Sequence, residues 1–462
     1  MWLLGVVGTA WTIGSAGLFL SQVPRYVGYL PDILTAIMSV FLIARLVALK
    51  TWTTIPVAYL LVFLGFVWVC VSGLVLNDVS SLTAVGGIRF FYRSIPFFLL
   101  PFAFKYSERD IQLQLTVLFC LLVLQVPVTI WQRFFEFSGY TGDGIGGTFA
   151  GTPPLAILCS MAVMFLLAFY IDKRISLARF LILSFLVSLP PSLGEVKAFP
   201  IFLVVGGIFI LFIRRKEIDR KRLGVLLASG LLLLSMFSGL YSLLYARSDG
   251  VGYIEMMFTD PRETYHFRGV EALPITIPIR KRNDILGSNS PAERVGEVRN
   301  EEAVTPGRLD NLRMPIQALY PNELTYLILG LGIGNVASDF GSPSAYRVLD
   351  SEFFATRVTF SYLIWETGLA GATLFLILFL LLLKECAGVA SAGNFTGTVN
   401  AGLFGCSGIM LFSLFYINIF FSVAITYPFF YMAGLMVYQA QAISKAGKQQ
   451  GINTYGMYQS VK

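Results

Sequence analysis

Apolar residues fill most of this chain in long runs, and the breaks between the runs are short, polar and often basic. A helix needs about 20 apolar residues to cross the hydrocarbon core of a bilayer. Runs near that length are read at 2–20, 29–49, 55–76, 86–104, 111–132, 153–171, 177–190, 198–213, 223–245, 359–383, 400–421 and 424–441. The seventh and eighth are short, and the turn between them is a candidate to dip into the membrane. The pattern is interrupted once, over 246–358, where more than a hundred residues separate two spans. Within that segment "LTYLILGLGIGNV" (324–336) is too short and too glycine-rich to span, so a re-entrant or interfacial helix is expected. The expected architecture is an all-α polytopic membrane protein of about twelve transmembrane helices with one large external loop. Nine helices occupy 1–245, the loop 246–358, three helices 359–441, and a polar tail 442–462.

Composition agrees with that reading. The chain is 56% hydrophobic and 13% charged, too little charge for a soluble surface at 462 residues. Cys70, Cys120, Cys159, Cys386 and Cys406 fall in or beside apolar runs at no metal-ligand spacing, and read as small hydrophobes. With a single histidine, His266, a His-based metal site is not expected, nor is any other metal or cofactor. No basic stripe with interleaved aromatics marks a nucleic-acid surface. The apolar stretch from Trp2 lacks a basic leader and is expected to be the first helix.

The net charge of +7 is largely topological. "RRKEIDRKR" (214–222) carries six basic residues in a short break, which the positive-inside rule assigns to the cytoplasm. Alternation from there puts Arg45, Lys50, Lys105, Arg109, Lys173, Arg174, Arg179, Lys384, Lys445 and Lys448 on the same side, with both termini cytoplasmic. The loop 133–152, the turn 190–199 and the segment 246–358 then lie outside.

The remaining charges gather at the outer side. Arg89 and Arg93 are four residues apart on one helical face, Glu195 and Lys197 sit in the outer turn, Arg308 and Arg313 precede the glycine-rich segment, and Arg357 and Glu366 open the tenth span. Each has a plain alternative: an arginine that snorkels to the interface, a structural ion pair, a solvated loop. Arginines collected at an interface suit a phosphate, because the guanidinium fork binds its oxygens bidentately and keeps its charge in a low dielectric. A lipid-linked diphosphate would meet them at that depth.

"RVTFSYLIWETGLAG" (357–371) resembles the His-Asn-x-Tyr-Leu…Glu-x-Gly-x-x-Gly stretch of the O-antigen ligase and polymerase superfamily. Glu366, Gly368 and Gly371 carry the match; Arg357, Val358 and Phe360 stand where that pattern has His, Asn and Tyr. "GRLDNLRMPIQALYPNELTYLILGLGIGN" (307–335) is similar to its Gly-Arg-x-x-x-Trp segment followed by Gly-x-Gly-x-Gly-Asn, through Gly307, Arg308, Gly332, Gly334 and Asn335. "GIGGTFAGTPPLA" (144–156) resembles a Gly-Thr-Phe turn that opens a central helix, and "SLGEVKAFPIF" (192–202) falls where Ser-Arg-Gly-Ala is frequent, with Lys197 as the candidate basic residue.

The resemblance implies a GT-C-like fold in a bacterial inner membrane, an undecaprenyl-diphosphate-linked glycan donor, a glycan acceptor, and glycosyl transfer without metal or cofactor. Other polysaccharide-assembly proteins are possible partners. The arginine at 357 departs from the ligases, whose histidine is the proposed general base; a guanidinium cannot take a proton at ordinary pH. Arg357 is therefore a candidate phosphate ligand beside Arg89, Arg93, Lys197, Arg308 and Arg313, and Glu195, Asp143 and His266 are the candidates to accept a proton. The departure favours a polymerase of surface or exopolysaccharide over a ligase. Two other classes stay open: a secondary transporter, which twelve spans also fit, and a non-catalytic partner in assembly or export.

Overall fold

The computed structural model describes residues 30–77, 79, 81–104, 106–136, 145–149, 151–194, 196–245, 280–281, 308–320, 324–335, 346–347, 358–390 and 394–449. Apart from a two-residue antiparallel pairing of Arg280–Lys281 with Tyr346–Arg347, the described elements are helices. In chain order they are α1 Leu30–Ala48, α2 Val57–Leu76, α3 Ser81–Tyr92, α4 Ile95–Ala103, α5 Glu108–Val123, α6 Gln125–Trp131, α7 Thr152–Ile171, α8 Leu177–Leu193, α9 Phe199–Ile213, α10 Arg220–Tyr245, α11 Arg308–Leu319, α12 Leu324–Leu329, α13 Thr359–Ala390, α14 Phe395–Ser413 and α15 Val423–Gln449.

Seven helical segments among the described residues are long and apolar enough to cross a membrane: α1, α2, the run Glu108–Glu136 through α5 and α6, α7, Arg220–Leu240 of α10, α13 and α14. α8 and α9 are apolar but shorter. The expected fourth span is not one helix. α3 begins at Ser81 and ends at Tyr92, and α4 restarts at Ile95 with Pro96 in its first turn. Proline has no N–H to return to the preceding turn, so the helix re-enters rather than continues. The expected first span, 2–20, lies outside the described residues.

α7 and α14 form the centre. Their side chains are buried along nearly the whole length, while α1 and α2 expose Val40, Ile43, Val47, Leu64, Trp68 and Val75 on their outer flanks. An apolar exterior around an apolar core is the arrangement lipid selects, because packing rather than water exclusion must join the helices. Small residues do this joining: Gly402, Gly405 and Gly408 on α14 face Phe165, Ile210 and Phe209 so closely that a Cβ would strike each of them.

Contacts sort the helix ends into two groups. At one end Arg45 Nε donates to the Ala103 carbonyl, Arg174 Nε donates to Thr398 Oγ1, and Arg214 pairs with Asp172 and Glu217. At the other end lie Asp32, Arg89, Arg93, the glycines 330–334, Glu366 and Phe420. Two of the short basic breaks, those holding Arg174 and Arg214, thus meet around Thr398 and Asp172.

Candidate functional site

The second group of ends holds two adjoining constructions. The first is a guanidinium pair. Asp32 sits in the first turn of α1, where the helix dipole favours a carboxylate. Arg89 Nη1 approaches its Oδ2 at 3.6 Å and Arg93 Nη1 approaches its Oδ1 at 3.7 Å. The Arg93 side chain is only 8% exposed and Asp32 19%. Arg93 Nη2 also donates to the Phe420 carbonyl in the turn between α14 and α15. Both guanidinium carbons lie beside the Phe90 ring, at 4.7 and 5.3 Å from its centroid, a contact in which ring and cation attract. Two cations thus share one anion, and the break between α3 and α4 is what lets Arg93, just beyond the helix end, turn toward both Asp32 and Phe420.

The second construction is a glycine junction. α13 breaks at Gly368, whose φ of 63° and ψ of −169° interrupt the helix directly after Glu366 and Thr367. Into that break fits the coil that follows α12. Leu331 N–H donates to the Trp365 carbonyl and Gly332 N–H to the Glu366 carbonyl. The Glu366 carboxylate, buried at 1% exposure, accepts from Gly334 N–H. Asn77 Nδ2 donates to the Gly330 and Gly73 carbonyls, and Asn335 Nδ2 to Leu331. Gly73 of α2 and Gly87 of α3 pack against Gly332 and Gly334, with no room for a Cβ at Gly87. Gly334 itself has φ +85° and abuts the Thr83 backbone, a position no L side chain occupies without strain.

The two constructions are linked. Gly87 and Arg89 share α3, Phe91 of α3 stacks on Tyr362 of α13 at 5.3 Å, and Phe91 also meets Phe420. The start of α13 is pinned to the same turn: Thr359 N–H and Oγ1 donate to the Ile417 carbonyl, and Thr359 Oγ1 accepts from Ile419 N–H. The carboxylate of Glu366 is thus a positioning group for the coil, not a free acid.

The turn "GTF" is held separately. Gln132 Nε2 donates to the Gly147 carbonyl and Gln132 Oε1 accepts from Gly147 N–H, at 2.9 and 2.7 Å. Gln125 Oε1 accepts from both N–H and hydroxyl of Thr148. Gln132→Leu strands both Gly147 backbone groups in a buried place and is expected to cost about 1–3 kcal/mol, read as a lower unfolding midpoint in detergent. A change below a few tenths would show that the turn is held by something else.

The expected residues sort as follows. Arg89, Arg93, Glu366, Gly332, Gly334 and Gly368 come together at one end. Lys197 is half-buried in the turn that opens α9, and Arg313 is exposed on α11, which Arg308 begins. The segment 324–336 is a short helix followed by the docked coil rather than a continuous helix. Arg357, Glu195, His266 and Asp143 lie outside the described residues. Sequence reading missed Asp32, Asn77, Gly73, Gly87, Gln125 and Gln132; the one available signal was a polar or small residue inside or at the edge of an apolar run. No protein-family model matches the chain, and a search of curated proteins finds no similar one.

Proposed function

We propose that the chain is a bacterial inner-membrane glycosyltransferase that moves a glycan from an undecaprenyl-diphosphate carrier to an acceptor sugar hydroxyl, as a polymerase of surface or exopolysaccharide. The observation that carries the reading is the Arg89–Asp32–Arg93 cluster, two guanidinium groups on one carboxylate at the end opposite the basic one. On this reading the cluster lies at the depth of the lipid headgroups. A diphosphate arriving there meets fixed cations already oriented by Phe90 and the Phe420 carbonyl. The basic end faces the cytoplasm on this reading, and the transfer takes place outside.

In the reaction the acceptor oxygen forms a bond to the anomeric carbon while the bond from that carbon to the diphosphate oxygen breaks. The electron pair leaves on the diphosphate, whose growing charge the arginines meet, and the hydroxyl proton passes to a base drawn from Glu195, Asp143 or His266. The glycine junction supports this as scaffold: Glu366 and Gly332–Gly334 fix α3 against α13 and so fix Arg89 relative to the turn at Phe420.

The test is genetic and chemical. The gene is deleted and complemented with wild type or with Arg357→Ala shown to insert, then surface glycan and lipid-linked intermediates are sized. Collapse of long chains to single units, unrestored by Arg357→Ala, is the expected result. Long glycan accumulating on its carrier would instead mean a ligase. No change in either species would move the reading to a secondary transporter, a class the broken helices α3–α4 and α13 also fit.

A further inference from the structure

Between α5, α7, α14 and α15 lies a cavity of about 520 Å³ that no residue of the candidate site borders. Its walls are apolar, among them Leu115, Leu122, Phe165, Cys406 and Phe429. The polar lining is concentrated toward one end, where Gln112 and Arg174 stand. That is the end that also carries Arg45 and Arg214. Along α7 the lining runs from Phe169 back to Leu158, eleven residues and so about 16 Å of helix. Half of a hydrocarbon core about 30 Å thick is the same depth. The cavity is thus one leaflet deep, oily throughout, and cationic at its headgroup end.

Arg174 is built for an anion at that mouth. Its Nε is committed to Thr398 Oγ1 at 3.0 Å, and its guanidinium carbon sits 5.6 Å from the Phe395 ring centroid. The residue is exposed, and among the described residues its two terminal nitrogens bond to no other protein group. Anchoring one edge of the fork leaves the other edge oriented at little entropic cost, which suits a phosphate. Lys173, exposed and adjacent in sequence, adds positive potential.

We propose that this cavity holds an anionic phospholipid of the leaflet at the basic end, one acyl chain along α7 and the phosphate on Arg174. The tail supplies affinity through buried methylenes, and the arginine selects the headgroup. The site is separate from the donor site proposed above and does not depend on it.

The test uses the full chain in detergent with phosphatidylglycerol as the probe and native mass spectrometry as the readout. Wild type is expected to retain one lipid tightly. Arg174→Gln is expected to weaken retention about tenfold, the size of a lost charged hydrogen bond, while Arg179→Gln leaves it unchanged. Ala162→Trp, which fills the cavity, is expected to abolish it; if that variant does not fold, Leu115→Trp on the outer wall serves instead. Retention equal to wild type in Arg174→Gln or in a folded cavity-filling variant overturns the proposal. So does displacement of the lipid by soluble glycerol phosphate, which would make Arg174 a plain anion site.

Discussion

Arg214→Ala is expected to lower the stability of the solubilised protein by about 3–5 kcal/mol, the range for breaking a buried ion pair from one side. Arg214 is 1% exposed at the end of α9 and looks, in sequence, like one more cytoplasmic charge. Its Nη2 pairs with Asp172 at 2.8 Å, and its Nη1 with Glu217 at 2.7 Å. The two bonds are not equal. Glu217 is 41% exposed and near in sequence, so its share is a fraction of a kcal/mol. Asp172 is 10% exposed, follows the last turn of α7, and also accepts from Thr398 Oγ1 of α14. Removing the guanidinium leaves that carboxylate, largely withdrawn from solvent, beside a single hydroxyl. Glu217→Ala should therefore cost under about 1 kcal/mol, and Arg214→Met with Asp172→Leu should recover most of the loss, since no charge is then left unpaired. Chemical denaturation in micelles reads all three. Similar losses for Arg214→Ala and Glu217→Ala would show that the surface partner, not Asp172, holds the end of α9.

That pair shows where the sequence was readable and where it was not. Hydropathy locates helices because each must satisfy its own backbone in lipid, so the positions of α1, α2, α7 and α10 follow from apolar runs alone. Basic residues are expected to mark one end because charge segregates across the membrane; of these, Arg174 and Arg214 gather around Thr398 and Asp172, and Arg45 bonds the last residue of α4. What a run cannot reveal is which of its faces is crowded. Gly73 and Gly87 look like ordinary small residues in a span, yet they receive the coil at 330–334. Gln125 and Gln132 look like tolerated polar residues, yet they hold the turn at Gly147. Both depend on partners 15 to more than 200 residues away, and periodicity carries only local information. The glycines at 332 and 334 were legible through the resemblance that singled them out, and the structure adds the reason for glycine there, φ of +90° and +85°.

The largest functional effect is expected at Arg93. Removing one fixed donor that stabilises a leaving group's charge costs about a hundredfold to a thousandfold in rate. Arg93→Ala should therefore lower glycan transfer from a lipid-diphosphate donor in proteoliposomes by about that factor. A buried arginine is also a structural element, and Arg93 touches Asp32 and the Phe420 carbonyl, so loss of activity alone would not separate the two roles. Asp32→Asn separates them. If the arginines serve only to hold α1 against α3, replacing the carboxylate breaks the same pairs and should harm the protein as much as Arg93→Ala does. If they serve the diphosphate, Asp32 is their resident counter-ion and competes with the donor. Its neutralisation then costs stability but tightens donor binding, seen as a lower KM at little change in kcat, whereas Arg93→Ala lowers kcat. Arg93→Lys keeps the charge but not the fork and should fall between wild type and alanine. Equal loss of kcat in Asp32→Asn and Arg93→Ala, at unchanged KM, would mean that the cluster is an ion pair joining two helices and that the donor's phosphates are held elsewhere.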